Sequence, residues 1–154
     1  MPSKSDDTQY GSVGAWAKRC YFAGRAVMDA VLRPYGLGAT QWYVLYHLAQ
    51  VGPTMQRELL RTLQVERATL SVIVGALVRK GLVEQVTDRA DQRQKLVRMT
   101  AAGTRLWDTL PDLSALIHTA AFEGIDAADL ATTVRVLKTA TERLDNLSRE
   151  RAEE

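Results

Sequence analysis

The side chains in this sequence with a chemistry to offer are cations, and they crowd one stretch. Arg67, Arg79, Lys80, Arg89, Arg93, Lys95 and Arg98 fall within a span of about thirty residues. Residues 55–98 hold nine Lys/Arg against five Asp/Glu, residues 1–54 five against three, and residues 99–154 six against ten. A formal charge of +2 for the whole chain therefore hides a local +4 in the middle and −4 at the end. Guanidinium and ammonium groups gathered this way bind phosphate, and an acidic remainder keeps a polyanion off the rest of the surface. Bond-making chemistry finds no support. Hydrolysis or group transfer would want a nucleophile beside a base, a phosphate-cradling glycine loop or a carboxylate pair, and none is present. No catalytic residue is assigned, and the chain is expected not to be an enzyme. His47 and His118 are the only histidines, and neither they nor Cys20 stand at zinc-site spacing, so no metal and no cofactor is expected.

Those cations need a scaffold that presents them together. An amphipathic helix from about Glu66 to Lys80 stops at Gly81, the apolar pair Leu82-Val83 follows, and two short alternating segments flank the charged turn Asp88-Arg89-Ala90-Asp91-Gln92-Arg93. A shorter helix, about Met55 to Leu63, precedes it with only Gln64 and Val65 between, the length of a helix-turn-helix connection. Helix, helix, strand, charged hairpin, strand is the order of a winged helix, whose second helix fills one groove of a duplex while the hairpin reaches another. Gly75, inside that second helix, reads as a close-packing position.

The rest reads as helix. Val13, Trp16, Cys20, Ala23, Val27, Ala30 and Val31 form one face of a helix from Val13 to Leu32, stopped by Pro34 and Gly36-Leu37-Gly38. A second helix runs from about Thr40 to Gln50 with Trp42, Leu45, Leu48 and Ala49 inward. Thr100 is placed to cap a helix through Leu106, Leu110, Leu113 and Ile117 that Pro111 interrupts. The last helix starts near Asp126 and repeats Leu130, Val134, Leu137, Thr141, Leu144 and Leu147 at nearly seven-residue spacing. Such a stripe is longer than a small domain covers, so the expectation is a two-fold homodimer built from both ends of the chain; the alternative is that the terminal helices pack on each other within one chain. The fold class is mostly α with a small β-hairpin wing: a winged helix-turn-helix with N- and C-terminal dimerisation helices. Residues 1–12 are expected as a disordered tail, 13–36 and 104–150 as the dimerisation region, and 37–103 as the winged lobe.

At 154 residues and 46% hydrophobic content the chain can bury the core of one ordinary domain. No apolar run reaches membrane-spanning length and Met1-Pro2-Ser3-Lys4 opens no secretion signal, so a cytoplasmic location without membrane contact is expected. The lone Cys20 fits a reducing compartment and is expected as a buried, inert thiol.

Taken together, Leu59 to Leu63, the helix Val65 to Leu77, the ending Arg79-Lys80-Gly81-Leu82-Val83, the turn Asp88 to Arg93 and the segment Val97-Arg98-Met99-Thr100-Ala101-Ala102-Gly103 resemble the MarR family of bacterial transcription regulators. Leu37 to Leu45, with Gln41-Trp42, resembles that family's second helix, and the likeness extends over about residues 13–148. Its most specific feature is three pieces in register: Gly81-Leu82-Val83, Asp91-Gln92-Arg93 and Thr100-Ala101-Ala102-Gly103. The resemblance implies a homodimer that binds a pseudo-palindromic double-stranded DNA operator, with half-sites roughly 10 base pairs apart, as a repressor released by a small-molecule effector or by oxidation. It implies that Arg93 is the wing arginine that enters the minor groove and that Asp91 holds the wing in shape. Arg89, Lys95 and Arg98 would add phosphate contacts. Thr69 and Ser71 are short enough to let the recognition helix approach the bases, Arg67 can reach a base edge or a phosphate, and Arg79 and Lys80 suit phosphate. Arginines that the family often carries at the positions of Val72 and Ala76 are missing, which would shift specificity toward Arg67 and the wing.

The family also implies an effector pocket for an aromatic carboxylate or phenol, with Arg19 meeting the acid and Trp16, Arg25, Tyr43, His47 and Trp107 completing the site. The alternatives are a thiol-based redox-sensing regulator acting through Cys20 and a winged helix that serves only as a protein-interaction scaffold.

Overall fold

In the computed structural model, which describes residues 12–87, 89–91 and 93–153, order is imposed from the helix ends inward. Ser12 opens α1 (Val13–Leu32) by accepting the Ala15 N–H at 3.2 Å. A short 3-10 turn, Arg33–Tyr35, leads to α2 (Ala39–Val51), whose N-cap Gly38 has no side chain to offer. Asp29 of α1 supplies the missing acceptor, taking the Ala39 N–H at 2.7 Å and so fixing where α2 leaves α1. The chain continues through β1 (Thr54–Met55), α3 (Gln56–Leu63), α4 (Arg67–Arg79), β2 (Val83–Thr87), β3 (Lys95–Met99), α5 (Ala101–Thr109), α6 (Leu113–Phe122) and α7 (Ala127–Ala152). Gln64, at a left-handed φ of 52°, turns α3 into α4.

The core follows from the apolar faces these caps orient. Leu32, Val44, Leu45, Leu59, Leu70, Val74, Leu77, Val83 and Val97 are all buried to within 1% of complete. They come from α1, α2, α3, α4 and the sheet, so α4 and the wing share one core. The sheet is antiparallel in the order β1-β3-β2, with Val97 facing Thr54 on one side and Gln85 on the other. Two compact units result, one ending at Leu113 and the other beginning at Ser114. Both α1 and α5 belong to the first, with the winged lobe.

Several expectations need correction. The expected hairpin wing is present as β2 and β3, β1 adds a third strand to it, and Met55 pairs in β1 instead of starting α3. Two residues are too few to show alternation. On α2, Val44 is buried and Ala49 is exposed, because a helix apolar nearly all round has its inward face chosen by its neighbours. Cys20 is exposed rather than buried, as is most of the α1 stripe: Val13 and Trp16 are 64% and 58% exposed. Met28 and Leu32 anchor α1 instead. Ser12 belongs to the α1 cap rather than to a tail, and the remainder of that expected tail, 1–11, lies outside the described residues.

Close packing falls at Gly103, not at Gly75. A Cβ on Gly103 would lie 2.0 Å from the Leu82 carbonyl oxygen, a backbone atom that cannot swing away. At Gly75 the nearest neighbour is the Arg79 guanidinium at 3.5 Å, ordinary contact. Gly103→Ala is therefore expected to lower stability by about 1–3 kcal/mol, and Gly75→Ala to raise it by about 0.5–1 kcal/mol through helix propensity. Urea unfolding of both variants beside the parent chain measures the two opposite signs.

Candidate nucleic-acid interface

Leu70, Ile73, Val74 and Leu77 bury one side of α4, and this dictates what the other side shows: Arg67, Ala68, Thr69, Ser71, Val72 and Arg79 are exposed. Beside the first turns of this face lies a cleft of about 220 Å³ lined by Arg57, Arg67, Ser71, Arg93, Gln94 and Lys95 with Met55, Gln56 and Leu60. Three elements converge there: the start of α3, the start of α4 and the wing where it enters β3. Four of its lining residues are cations and none is acidic. Like charges held this close repel one another, and a polyanion relieves that repulsion.

The wing is braced at both ends. Asp91 accepts the Arg93 N–H at 3.0 Å with its carboxylate, accepts the Gln94 N–H at 3.0 Å with its carbonyl, and receives the Gln94 side-chain amide at 3.5 Å. Its hold on the wing thus acts through the backbone around Arg93 rather than by pinning the guanidinium. Gln85 of β2 donates to Gln56 of α3 at 2.8 Å, tethering the sheet to the helix that supplies Arg57.

The sequence-derived residues are not all brought together. Arg67, Ser71, Arg93 and Lys95 share the cleft. Thr69 lies on the exposed face of α4, Arg79 lies near its end, and Arg89 is exposed in the wing. Lys80 is used by the fold: its ammonium donates to the Gly36 carbonyl and to Gln41 Oε1 at 2.8 Å, joining the end of α4 to the start of α2. Arg98 pairs across the strands with Glu84 at 2.5 Å, both side chains about half exposed, a contact of a few tenths to about 1 kcal/mol rather than a waiting phosphate ligand. Arg57, Gln56 and Gln94 were not singled out in the sequence. A basic residue on the first turn of so amphipathic a helix was the available signal for Arg57.

The six effector residues divide among separate places. Arg25 and Tyr43 line a pocket of about 430 Å³ with Tyr21, Thr40, Thr62, Leu63, Gln64, Val65 and Ile73. Burial, reinforced by Tyr21 and opposed by Arg25, pushes the Tyr43 phenol above its ordinary value, so it stays a proton donor at neutral pH. Arg19 lies over the Trp16 ring at 5.0 Å on the exposed side of α1. Trp107 packs in a ring cluster with Trp42 and Tyr46 at 5.8 and 6.1 Å, and His47 has its Nε2 buried on α2. No cluster able to hold a metal occurs among the described residues.

Comparison with known proteins agrees with this geometry. The MarR family profile matches residues 35–94, from the turn before α2 to the wing. The HTH-type transcriptional repressor NicR of Pseudomonas putida is 26% identical over 136 residues, covering 86% of each chain. Two shorter matches, at 34% and 38% identity, span 57% and 45% of the length of those relatives, both named as transcriptional regulatory proteins. Among solved structures, a mutant MarR from E. coli complexed with operator DNA superposes with a TM-score of 0.77 at 23% identity, covering 88% of this chain and 98% of that one. BpsR of Bordetella bronchiseptica, whose DNA binding is regulated by 6-hydroxynicotinic acid, gives 0.75 at 23%, covering 86% and 95%. The family profile thus matches the stretch from the turn before α2 to the wing, and the fold is shared over most of the chain with solved MarR structures.

Proposed function

We propose that this chain acts as a homodimer on a pseudo-palindromic DNA operator, as a repressor released by a small aromatic acid. The observation that carries the DNA reading is the cleft where Arg57, Arg67, Arg93 and Lys95 converge beside the exposed face of α4. A helix narrow enough for the major groove, with the cations of the wing beside its start, can contact bases and both phosphate walls at once. The homodimer is supported by apolar surface that a single chain leaves bare. On α1, Val13, Trp16, Phe22 and Val27 are exposed; α7 has no buried residue in 26, and Val134, Val136, Leu144 and Leu147 stand open. A second copy offers the same surfaces in return, which is what a two-fold interface requires.

The effector reading narrows to the pocket holding Arg25 and Tyr43. A guanidinium suits a carboxylate, a protonated phenol suits its second oxygen or a ring substituent, and Tyr21 and Ile73 supply apolar wall. The acid that regulates BpsR is itself an aromatic carboxylate, which is in keeping with this chemistry.

A dimer presenting both clefts makes roughly eight phosphate contacts, so affinity for its operator is expected to fall on the order of a thousandfold or more between 50 and 200 mM salt. A flat salt response in a fluorescence-anisotropy titration would favour the protein-scaffold reading instead. Arg93→Ala is expected to leave the dimer intact by light scattering while weakening operator binding well over tenfold, and unchanged affinity in a gel shift at fixed salt would reject the wing role. For Asp91→Ala, the loss of a carboxylate acceptor worth about 1.4 kcal/mol should speed amide exchange at Arg93 about tenfold with little change in global stability. In a thermal-shift screen, benzoate- or nicotinate-type acids should stabilise the parent chain and not Arg25→Met; equal stabilisation of both would remove Arg25 from the site.

A further inference from the structure

Val72 is out of place by the rules that arrange the rest of α4. It is 70% exposed, the most exposed large apolar side chain on the helix, which leaves little burial to offset a helix propensity poorer than alanine's. Its neighbours on the helix surface, three and four residues away, are Ala68, Thr69, Gly75 and Ala76, all small. The isopropyl group therefore stands alone above a low floor. Its β-branch locks χ1 in a helix, so the group is held ready rather than swinging in solvent.

Its position along the axis gives this a direction. Arg67 and Arg79 lie about 18 Å apart along α4, enough to reach both phosphate walls of a major groove about 12 Å wide. Val72 falls near the midpoint, over the base edges. An aliphatic group there has no donor or acceptor to give, and one base edge is apolar in that groove: the C5-methyl of thymine. We propose that Val72 reads a thymine methyl at one position in each half-site, giving the helix a sequence preference that does not depend on an arginine. This rests on the duplex-binding reading above. It also separates DNA from RNA, because uracil lacks the methyl and the A-form major groove excludes a helix.

The test uses the full chain and a duplex selected by it from a random-sequence pool. Each thymine is then replaced singly by deoxyuridine, which removes only the methyl. One replacement per half-site should weaken binding about three- to fivefold, the loss of one buried methyl contact. Val72→Ala, a helix-favouring change at an exposed site, removes the contact from both half-sites, so it should bind the thymine duplex about 10- to 25-fold weaker and be indifferent to the same replacement. If every deoxyuridine duplex binds as tightly as its parent, or if Val72→Ala keeps the full sensitivity, the methyl reading is overturned while operator binding stands. Failure to select any duplex overturns both.

Discussion

The geometry of the surface proposed to face DNA hangs on one backbone junction, where α4 hands over to the wing and the wing to α5. Thr100 does three things there: its N–H donates to the Leu82 carbonyl at 3.0 Å, its hydroxyl donates to the Gly81 carbonyl at 2.6 Å, and the same oxygen accepts the Gly103 N–H at 3.0 Å. Gly103 must then sit against Leu82 with no side chain between them. The link between α4 and β2, the residue that follows β3 and the first turn of α5 are tied at a single point. A five-residue strand projects the wing roughly 16 Å from that root, so a tilt of about 10° at the junction would move the tip by about 3 Å, enough to lose a groove. The second tether, Gln85 to Gln56, limits the same tilt from the other side.

Charge is sorted by the fold in a way that residue type does not reveal. Arg98 and Lys80 carry the same charge as Arg93 and Lys95, yet the former are spent on Glu84 and on the Gly36 and Gln41 oxygens, bracing the lobe. The cations at the cleft mouth form no ion pair with a described residue. A bracing cation costs the lobe little because its partner offsets it, whereas cations gathered at one cleft repel one another, a repulsion that a phosphate backbone would relieve. On the proposed reading, affinity and stability fall to different arginines and lysines within the same basic stretch.

Much of this was legible from the sequence because the signals were local. Gly81, Pro34 and Pro111 stop helices by backbone rules that need no tertiary context, and Thr100 and Asp126 cap where their side chains can reach. The register of Gly81-Leu82-Val83 with Thr100-Ala101-Ala102-Gly103 was visible too, although its cause, the Gly103 contact, required coordinates. What the sequence hid depends on neighbours distant along the chain. β1 exists because β3 has a free edge for Thr54 and Met55 to fill. Arg57 joins the cleft because the sheet carries Arg93 to it. Trp16, Arg19, His47 and Trp107 resemble pocket residues by type, but they project from α1, α2 and α5 in directions that do not meet at the Arg25–Tyr43 pocket.

The proposed sensing and reading surfaces lie on one helical turn. Ile73, 8% exposed, lines the pocket that holds Arg25 and Tyr43 and also helps seat α4 in the core, while Val72, one residue earlier, points to the outward face. Successive helical residues diverge by about 100°, so a ligand pressing on Ile73 acts on the same rigid turn that meets the bases. The pocket also touches Gln64 and Val65, the connection that sets the angle of α4 against α3, and Gln64 there holds a left-handed conformation that a non-glycine residue adopts at some cost. A ligand that binds better when this turn is displaced shifts the population away from the DNA-binding geometry by its difference in affinity, with no relay through the core. Packing holds α4 in place from one side only, and that is the side on which the pocket opens.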